Sequence, residues 1–216
     1  MLHPDTELRK INEVIGYGVF ATRLIPQGTI TWALDPLDQI LPPHAVEQLE
    51  EQYNGHLTRY TWVTAKGQRI LCWDFGRFMN HSCAANSYGP GGYQFEIAVR
   101  DIFPDEEITC DYATLNLENP LVCQCDSSQC RGVVSSDDLE KVGFSCDVLI
   151  RSAFAQIREV KQPLWLWVES QNTEIDGMLH RPDTIPSILN HRWLPESPTF
   201  AGRKSGSYNG RQAFLK

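Results

Sequence analysis

Three cysteines within eight residues are the strongest chemical signal in the sequence. Cys123, Cys125 and Cys130 have the spacing C-x-C-x4-C, so their thiols converge on one ion if the loop wraps around it. A structural zinc ion takes four such ligands in a tetrahedron. The loop supplies three of them, so the fourth must come from elsewhere in the chain. Unligated thiols or a disulfide are the alternatives to a zinc site.

Cys83 is the best candidate for the fourth ligand, because it ends the polar segment Asn-His-Ser-Cys. Cys72, Cys110 and Cys146 lie in apolar surroundings, where a lone cysteine is usually a small core residue. His81 ranks second to Cys83. We therefore predict Zn²⁺ bound by Cys83 and the three cysteines of the loop.

The stretch VIGYGVFA places Gly16, Gly18 and Ala21 at the G-x-G-x-x-A spacing of a dinucleotide-binding turn. Such a turn must open a helix, whose N-terminus receives the phosphates. Here strand-forming residues follow, and Pro26 and Gly28 then interrupt the chain, so no helix of useful length fits. An NAD-binding oxidoreductase is therefore disfavoured.

Four segments resemble, in order and spacing, motifs of the SET domain family of protein-lysine methyltransferases, which use S-adenosylmethionine. Together they span about residues 10–132, more than half of the chain. They are Gly16–Thr22 with Ile25–Gly28, Arg77–Cys83 with Asn86, Ala98–Ile102 with Glu106–Tyr112, and the post-SET zinc loop Cys123–Cys130 with Arg131 and Gly132.

The resemblance implies an α+β fold, mainly β, of several small twisted sheets. In its knot-like core the Asn-His-Ser-Cys and Asp-Tyr segments pass close together. The expected organisation is a SET domain over 1–118, a post-SET zinc-binding loop over 119–132 and a mostly helical extension over 133–196. A flexible basic tail is expected over 197–216.

The resemblance also assigns roles to individual residues. Tyr112 is the expected catalytic tyrosine, and Tyr60 matches a second tyrosine of the active site. The remaining assignments are cofactor contacts: the backbone of Gly16, Tyr17 and Gly18, together with Asn80, His81 and Tyr112. Arg77 either supports the cofactor carboxylate or faces solvent.

The chemistry that these residues would perform is methyl transfer to an amine. A lysine side chain has a reference pKa near 10.4 and is inert while protonated. An apolar channel disfavours the ammonium form, and a tyrosine hydroxyl then holds the amine in line with the methyl donor.

Three positions depart from the family pattern. Ala85 stands where proline is usual, and Asp105 stands where glycine is usual, which questions the turn before Glu106. Cys110 lies two residues before Tyr112, where the family usually has Phe or Tyr. Because a smaller side chain leaves more space around the amine, Cys110 predicts higher methylation, up to trimethyl-lysine.

The elements that must position these residues are short. A twisted strand pair is expected over 10–32, a helix over 42–53, and strands around 59–63, 69–72 and 94–100. A longer helix is expected over 137–160. Trp165, Trp167 and Trp193 are expected in the core of the C-terminal extension.

Charge and composition limit the partners. The net charge of −8 disfavours general nucleic-acid binding, and the chain has no apolar run long enough for a membrane span. We expect a soluble intracellular protein acting on a basic protein or peptide that carries the target lysine, such as a histone.

No acidic residue follows Glu196, whereas four basic residues do, and Lys204 in Arg-Lys-Ser is a conceivable self-methylation site. The alternative function is a catalytically silent SET-like module that binds peptides.

Overall fold

A computed structural model describes residues 1–53, 56–169 and 175–194. The tail with Lys204 lies outside the described residues. The strands are β1 (Thr6–Asn12), β2 (Gly16–Ala21), β3 (Ile30–Ala33), β4 (Gln39–Leu41), β5 (Thr61–Val63), β6 (Arg69–Leu71), β7 (Asn80–His81), β8 (Ser87–Tyr88), β9 (Phe95–Ala98), β10 (Thr109–Cys110), β11 (Leu121–Val122) and β12 (Val133–Val134). The helices are α1 (Pro43–Tyr53), α2 (His56–Tyr60), α3 (Asp138–Phe154), α4 (Trp165–Glu169) and α5 (Ile175–His180).

The strands pair into small sheets of two or three strands. Four sheets are antiparallel throughout: β1-β2, β4-β6-β5, β3-β9-β8 and β11-β12. The short pair β7-β10 is parallel, with Asn80 opposite Thr109 and His81 opposite Cys110. This pair joins two distant segments that sequence analysis expected to meet.

Backbone hydrogen bonds to β2 position the segment before β10 beside β7. Ala21 donates its N–H to the Glu106 carbonyl at 2.9 Å, and the Ile108 N–H donates to the Val19 carbonyl at 2.8 Å. The turn into this segment places Asp105 at φ 67°, a left-handed conformation that glycine adopts without strain. The turn therefore keeps its backbone geometry although glycine is absent.

Two buried clusters form the interior. The first packs β3, β8 and β9 against α3 and the C-terminal segment, with Phe95 and Phe154 in ring contact at 6.1 Å. The second lies beneath the glycine turn and includes Val19, Ile108 and Cys110. The expected helices at 42–53 and 137–160 are present as α1 and α3, the latter six residues shorter at its C-terminal end.

The C-terminal residues share the first cluster with the strands. Leu164, Val168 and Ile188 are buried in it, and Trp165 and Trp167 are partly buried at its edge. Trp193 instead covers Gly67, where an added Cβ would lie 2.7 Å from the indole nitrogen. Residues 133–169 and 175–194 are therefore built onto the strands rather than forming a core of their own.

Among the described residues, no helix has the length and apolar character needed to cross a membrane.

Candidate active site and cysteine cluster

The parallel pair β7-β10 is the centre of the candidate site. It sets the Asn-His-Ser-Cys segment beside the Thr-Cys-Asp-Tyr segment, and the Ser82 N–H donates to the Cys110 carbonyl at 3.1 Å. The Tyr112 N–H donates to His81 Nδ1 at 3.1 Å, and the two rings lie 5.4 Å apart. Sequence analysis placed these residues in one site, and the backbone pairing is the physical reason that they meet.

Tyr112 is held with its hydroxyl inside the protein. Its O–H donates to the Met79 carbonyl at 2.8 Å, and burial raises the pKa of the phenol well above its usual value. Asp111 caps the turn that begins at Tyr112 by accepting the Ala113 N–H at 3.0 Å. The hydroxyl is therefore neutral and oriented, with lone pairs on its oxygen left to accept a hydrogen bond.

Tyr60 lies at the C-terminal end of α2, not in the strand that was expected over 59–63. The strand begins one residue later, because the β-forming run Tyr-Thr-Trp does not show where the preceding helix ends. The Tyr60 ring contacts Phe78 at 5.8 Å. It also lines a cavity of about 260 Å³ together with Trp73 and Arg77. Tyr112 is not among the residues that line this cavity, so the structure does not place the two tyrosines around one space.

Arg77 has a structural role that was not among the two weighed from the sequence. Its Nη1 donates to the carbonyls of Cys72, Trp73 and Asp74 at 3.2, 2.8 and 3.1 Å. The guanidinium also lies 5.1 Å from the centre of the Phe78 ring. Arg77 therefore fixes the turn that leads into the site.

The glycine turn opens β2 and faces Asn80. Gly16 has φ 88°, and an added Cβ there would meet no atom within 4 Å, so the turn is open on that side. Asn80 Nδ2 donates to the Tyr17 carbonyl at 2.9 Å and to Glu107 Oε1 at 2.7 Å. The chain continues as a strand to Ala21 without opening a helix, which excludes a dinucleotide turn.

Gly18 is required for a reason that the sequence did not reveal. We expected its small size to let a cofactor approach the backbone. In the structure an added Cβ would lie 2.2 Å from Glu107 Oε1 and 3.0 Å from Asn80 Nδ2. The space beside Gly18 is thus filled by a carboxylate of the protein.

The cysteine cluster lies next to the site, where the loop between β11 and β12 meets the Asn-His-Ser-Cys segment. Ligand atoms of His81, Cys83, Cys123 and Cys125 all lie within 4.8 Å of one another, and the Sγ atoms of Cys83 and Cys123 are 3.8 Å apart. Two sulfurs of a tetrahedral zinc site with Zn–S near 2.3 Å are separated by about 3.8 Å. The donor set and this spacing fit a metal ion.

His81 and Cys130 compete for the fourth position. His81 Nδ1 accepts the backbone N–H of Tyr112, so a neutral imidazole carries its proton on Nε2. Burial lowers the pKa of His81, which favours the neutral ring. That Nε2 lies 3.3 Å from Cys83 Sγ, where it donates rather than binding metal. Cys130 is exposed and lies outside this group of four donors, although its thiol affects the pKa of Cys123 and of Cys125.

Arg131 joins the cysteine cluster to the turn of Tyr112. Its backbone N–H and its Nε each donate to Cys83 Sγ at 3.3 Å, and its Nη2 donates to Asp111 Oδ1 at 2.6 Å. Asp111 is 1% exposed, and its ion pair with Arg131 holds the pKa of the guanidinium above its usual value despite burial. Arg131 belongs to the motif that follows the cysteines in the sequence, and no role was predicted for it.

Cys110 is buried in the second cluster with 4% of its surface exposed. It packs in the same cluster as Met79 and partly buried Tyr112, and burial raises the pKa of its thiol. The residue proposed to limit space around the amine is therefore close to the candidate catalytic tyrosine.

Comparison with known proteins supports the family resemblance. The sequence pattern of the SET domain matches residues 16–113. These residues are a SET domain. The α+β class of small sheets expected for that domain is confirmed by the structure.

Named relatives of this SET domain include a "Variant-silencing SET domain-containing protein" of Plasmodium falciparum (isolate 3D7), 33% identical over 141 residues. "Histone-lysine N-methyltransferase ATX2" of Arabidopsis thaliana is 26% identical over 138 residues. Each match covers 58% of this chain, but only 5% and 13% of the relatives' own lengths. The methyltransferase domain of human Histone-lysine N-methyltransferase SETMAR has a TM-score of 0.44 at 21% identity, over 61% of this chain and 57% of that one.

Two residues of the SET domain site were missed from sequence, Glu107 and Arg131. The sequence contains a weak indication for Glu107. Alternate residues of a strand share a face, so Glu107 is expected on the same side as Thr109, which pairs with Asn80. No local pattern predicted the ion pair between Arg131 and Asp111, which depends on the loop folding back over 20 residues.

Proposed function

We propose that this chain is an S-adenosylmethionine-dependent methyltransferase that acts on the side-chain amine of a lysine in a protein. The observation that carries the proposal is the convergence at β7-β10 of the Tyr112 hydroxyl, the Asn80 amide and the open glycine turn. Relatives named as histone-lysine methyltransferases support a histone or another basic protein as the substrate. The acidic net charge of the chain would attract such a peptide.

The residues of the turn fit the proposed cofactor. Gly16 leaves the turn open, and Asn80 presents a polar side chain beside it. Gly16, Tyr17, Gly18, Asn80 and His81 would hold S-adenosylmethionine. When bound, the cofactor supplies a methyl group already activated by a positively charged sulfur.

The protein then has to position the amine and keep it deprotonated. The Met79 carbonyl fixes the Tyr112 hydroxyl as a donor, so the phenol oxygen can accept a hydrogen bond from the incoming amine. Apolar surroundings favour the neutral amine over the ammonium form. By its match to the family motif Tyr60 would line the lysine channel, although the cavity that it lines here does not include Tyr112. Cys110 leaves room for a methylated amine and so for further cycles.

We propose that Cys83, Cys123, Cys125 and Cys130 bind Zn²⁺, with His81 as a hydrogen-bond donor to Cys83. The metal would close the post-SET loop, residues 119–132, beside the SET domain, residues 1–118. The helical extension, residues 133–196, would support the strands from behind. A metal-thiolate site of this kind needs reduced cysteines, consistent with an intracellular protein.

Transfer of tritium from labelled S-adenosylmethionine to basic proteins tests the function. Tyr112→Phe keeps the ring and removes the hydroxyl, so we expect transfer to fall by about 100-fold or more. Tyr53→Phe removes an exposed hydroxyl on α1 and should leave transfer unchanged. Absence of transfer by the unaltered protein to any basic protein would instead favour a silent peptide-binding module.

A further inference from the structure

Glu107 is a carboxylate without an assigned role at the edge of the glycine turn. It comes from the segment that runs along β2, where Glu107 bridges to Phe20. Its Oε1 accepts from Asn80 Nδ2 at 2.7 Å and fills the space that a side chain at position 18 would take. Glu107 therefore borders Gly18 and Asn80, two of the residues proposed to hold the cofactor.

The charge of Glu107 is not balanced by the residues that the structure describes. Within the described ranges it forms no ion pair, whereas the adjacent Glu106 pairs with Arg100 at 2.5 Å. Burial raises the pKa of Glu107, and the hydrogen bond from Asn80 opposes that rise. Glu107 is only half-buried, and because charges partly withdrawn from water are commonly paired, a carboxylate in this position can pair with a cation supplied from outside the chain.

The proposed cofactor carries two positive centres, an α-ammonium group and a sulfonium. Only the ammonium has N–H groups that donate charge-assisted hydrogen bonds, and a carboxylate accepts several. The sulfonium methyl must instead face the Tyr112 hydroxyl, which is bound to Met79 and not to Glu107. The two charges can thus be separated within the site.

We propose that Glu107 is a cofactor-binding residue that accepts a hydrogen bond from the α-ammonium group of S-adenosylmethionine, an assignment that rests on the proposed function. Asn80 has two tasks in this arrangement. It holds the carboxylate in place, and it ties the carboxylate to the Tyr17 carbonyl of the turn.

Calorimetric binding of three probes to the full chain tests the assignment. S-adenosylmethionine carries both charges, S-adenosylhomocysteine keeps only the ammonium, and methylthioadenosine has neither. Glu107→Gln retains an oxygen for Asn80 and removes the charge. We expect it to weaken the first two probes by a similar factor of about 10 to 100 and to leave the third unchanged. Glu106→Gln, at the neighbouring carboxylate, should change none of them.

Other outcomes overturn the assignment in distinguishable ways. A loss confined to S-adenosylmethionine would mean that Glu107 interacts with the sulfonium. Equal loss for all three probes would mean that it only supports the fold, and thermal unfolding of both variants would show this separately. Unchanged affinities would remove Glu107 from the site while leaving the proposed function intact. Failure of the unaltered chain to bind S-adenosylmethionine would overturn the proposed function itself.

Discussion

The side chain at position 110 has a consequence that depends on its size. Cys110 is buried in the same cluster as Met79 and Tyr112, so atoms added there enter the space next to the proposed amine site. Tyrosine at this position would both fill that space and bring a hydroxyl toward the amine. The degree of methylation should respond more strongly than the rate of the first transfer.

We expect the unaltered protein to produce lysine with up to three methyl groups, and Cys110→Tyr to stop mainly at one. Overpacking at a buried position should also lower stability by about 1–3 kcal/mol. Mass spectrometry of an exhaustively methylated substrate separates the two effects, because lost stability alone does not change the ratio of products. A monomethyl product from the unaltered protein would contradict the prediction.

Individual residues of the site were predictable where a short motif fixes both type and spacing. Tyr112, Asn80 and the cysteines of the loop belong to such motifs, and the structure brings them to adjacent positions. Arg77 was ambiguous, because the sequence does not show that three backbone carbonyls turn toward its guanidinium. Glu107 was missed, because what distinguishes it is the lack of an ion-pair partner among the described residues. The sequence does not show which charges are paired.

The cysteine loop and the turn of Tyr112 are linked as elements by one side chain. Arg131 contacts Cys83 Sγ on one side and Asp111 on the other, and Asp111 caps the turn that begins with Tyr112. A disturbance of the loop is therefore transmitted to the turn of Tyr112 through an ion pair that is mostly shielded from water.

Arg131→Gln should lower the free energy of unfolding by about 3 kcal/mol, because it leaves the buried Asp111 without its cation. The double variant Arg131→Gln with Asp111→Asn should regain part of the lost stability. Arg131→Lys should be nearly as destabilised as Arg131→Gln, since lysine lacks the planar fork of donors. Urea denaturation and kcat for the single and double variants provide the measurement. Arg100→Gln breaks a more exposed pair and should cost about 1 kcal/mol or less. Additive losses in the double variant would show that the two residues act independently.

Element types were mostly predictable from local patterns, and element contacts were not. The apolar stripe of α3 and the proline at the start of α1 mark those helices in the sequence. The end of α2 at Tyr60 was missed, because helix and strand propensities overlap there. The packing of α3 under β9 joins residues more than 50 positions apart, which no local pattern encodes.

The molecule as a whole contains a partly buried acid that should make its stability depend on pH. Glu96 on β9 accepts a hydrogen bond from Ser87 at 2.7 Å, and Ser87 is in turn 2.6 Å from Thr31. Burial raises the pKa of Glu96 to about 7, and the Ser87 hydrogen bond only partly opposes this. Within the described chain no cation pairs with it. The folded state therefore favours the protonated carboxyl.

An acid whose pKa is higher in the folded than in the unfolded protein stabilises the fold fully below its unfolded pKa, near 4.5. This stabilisation is lost as pH rises to about 7. The free energy of unfolding should fall by up to about 3 kcal/mol over this range. Glu96→Gln keeps an acceptor for Ser87 and should remove that fall. The stability of the variant relative to the unaltered protein should therefore be greater at pH 8 than at pH 5.

Denaturation at both pH values checks the prediction. Glu106→Gln is the matched control. The Glu106 pKa is lowered, because hydrogen bonds from Arg100 and the Phe103 N–H outweigh desolvation, so its removal should cost stability at pH 8. Parallel pH curves for the unaltered protein and Glu96→Gln would contradict the prediction.

The parallel pair β7-β10 also bears on how the molecule acquires its shape. It joins strands whose paired residues are 29 positions apart, as in Asn80 with Thr109, and the sulfur contact between Cys83 and Cys123 closes an even longer loop. Loop closure costs entropy before such contacts stabilise the chain, and proteins rich in distant contacts fold slowly. Local hairpins such as β1-β2 can form first. The candidate site is then expected to form after such hairpins, so the time that it needs to become competent depends on the closure of these two loops.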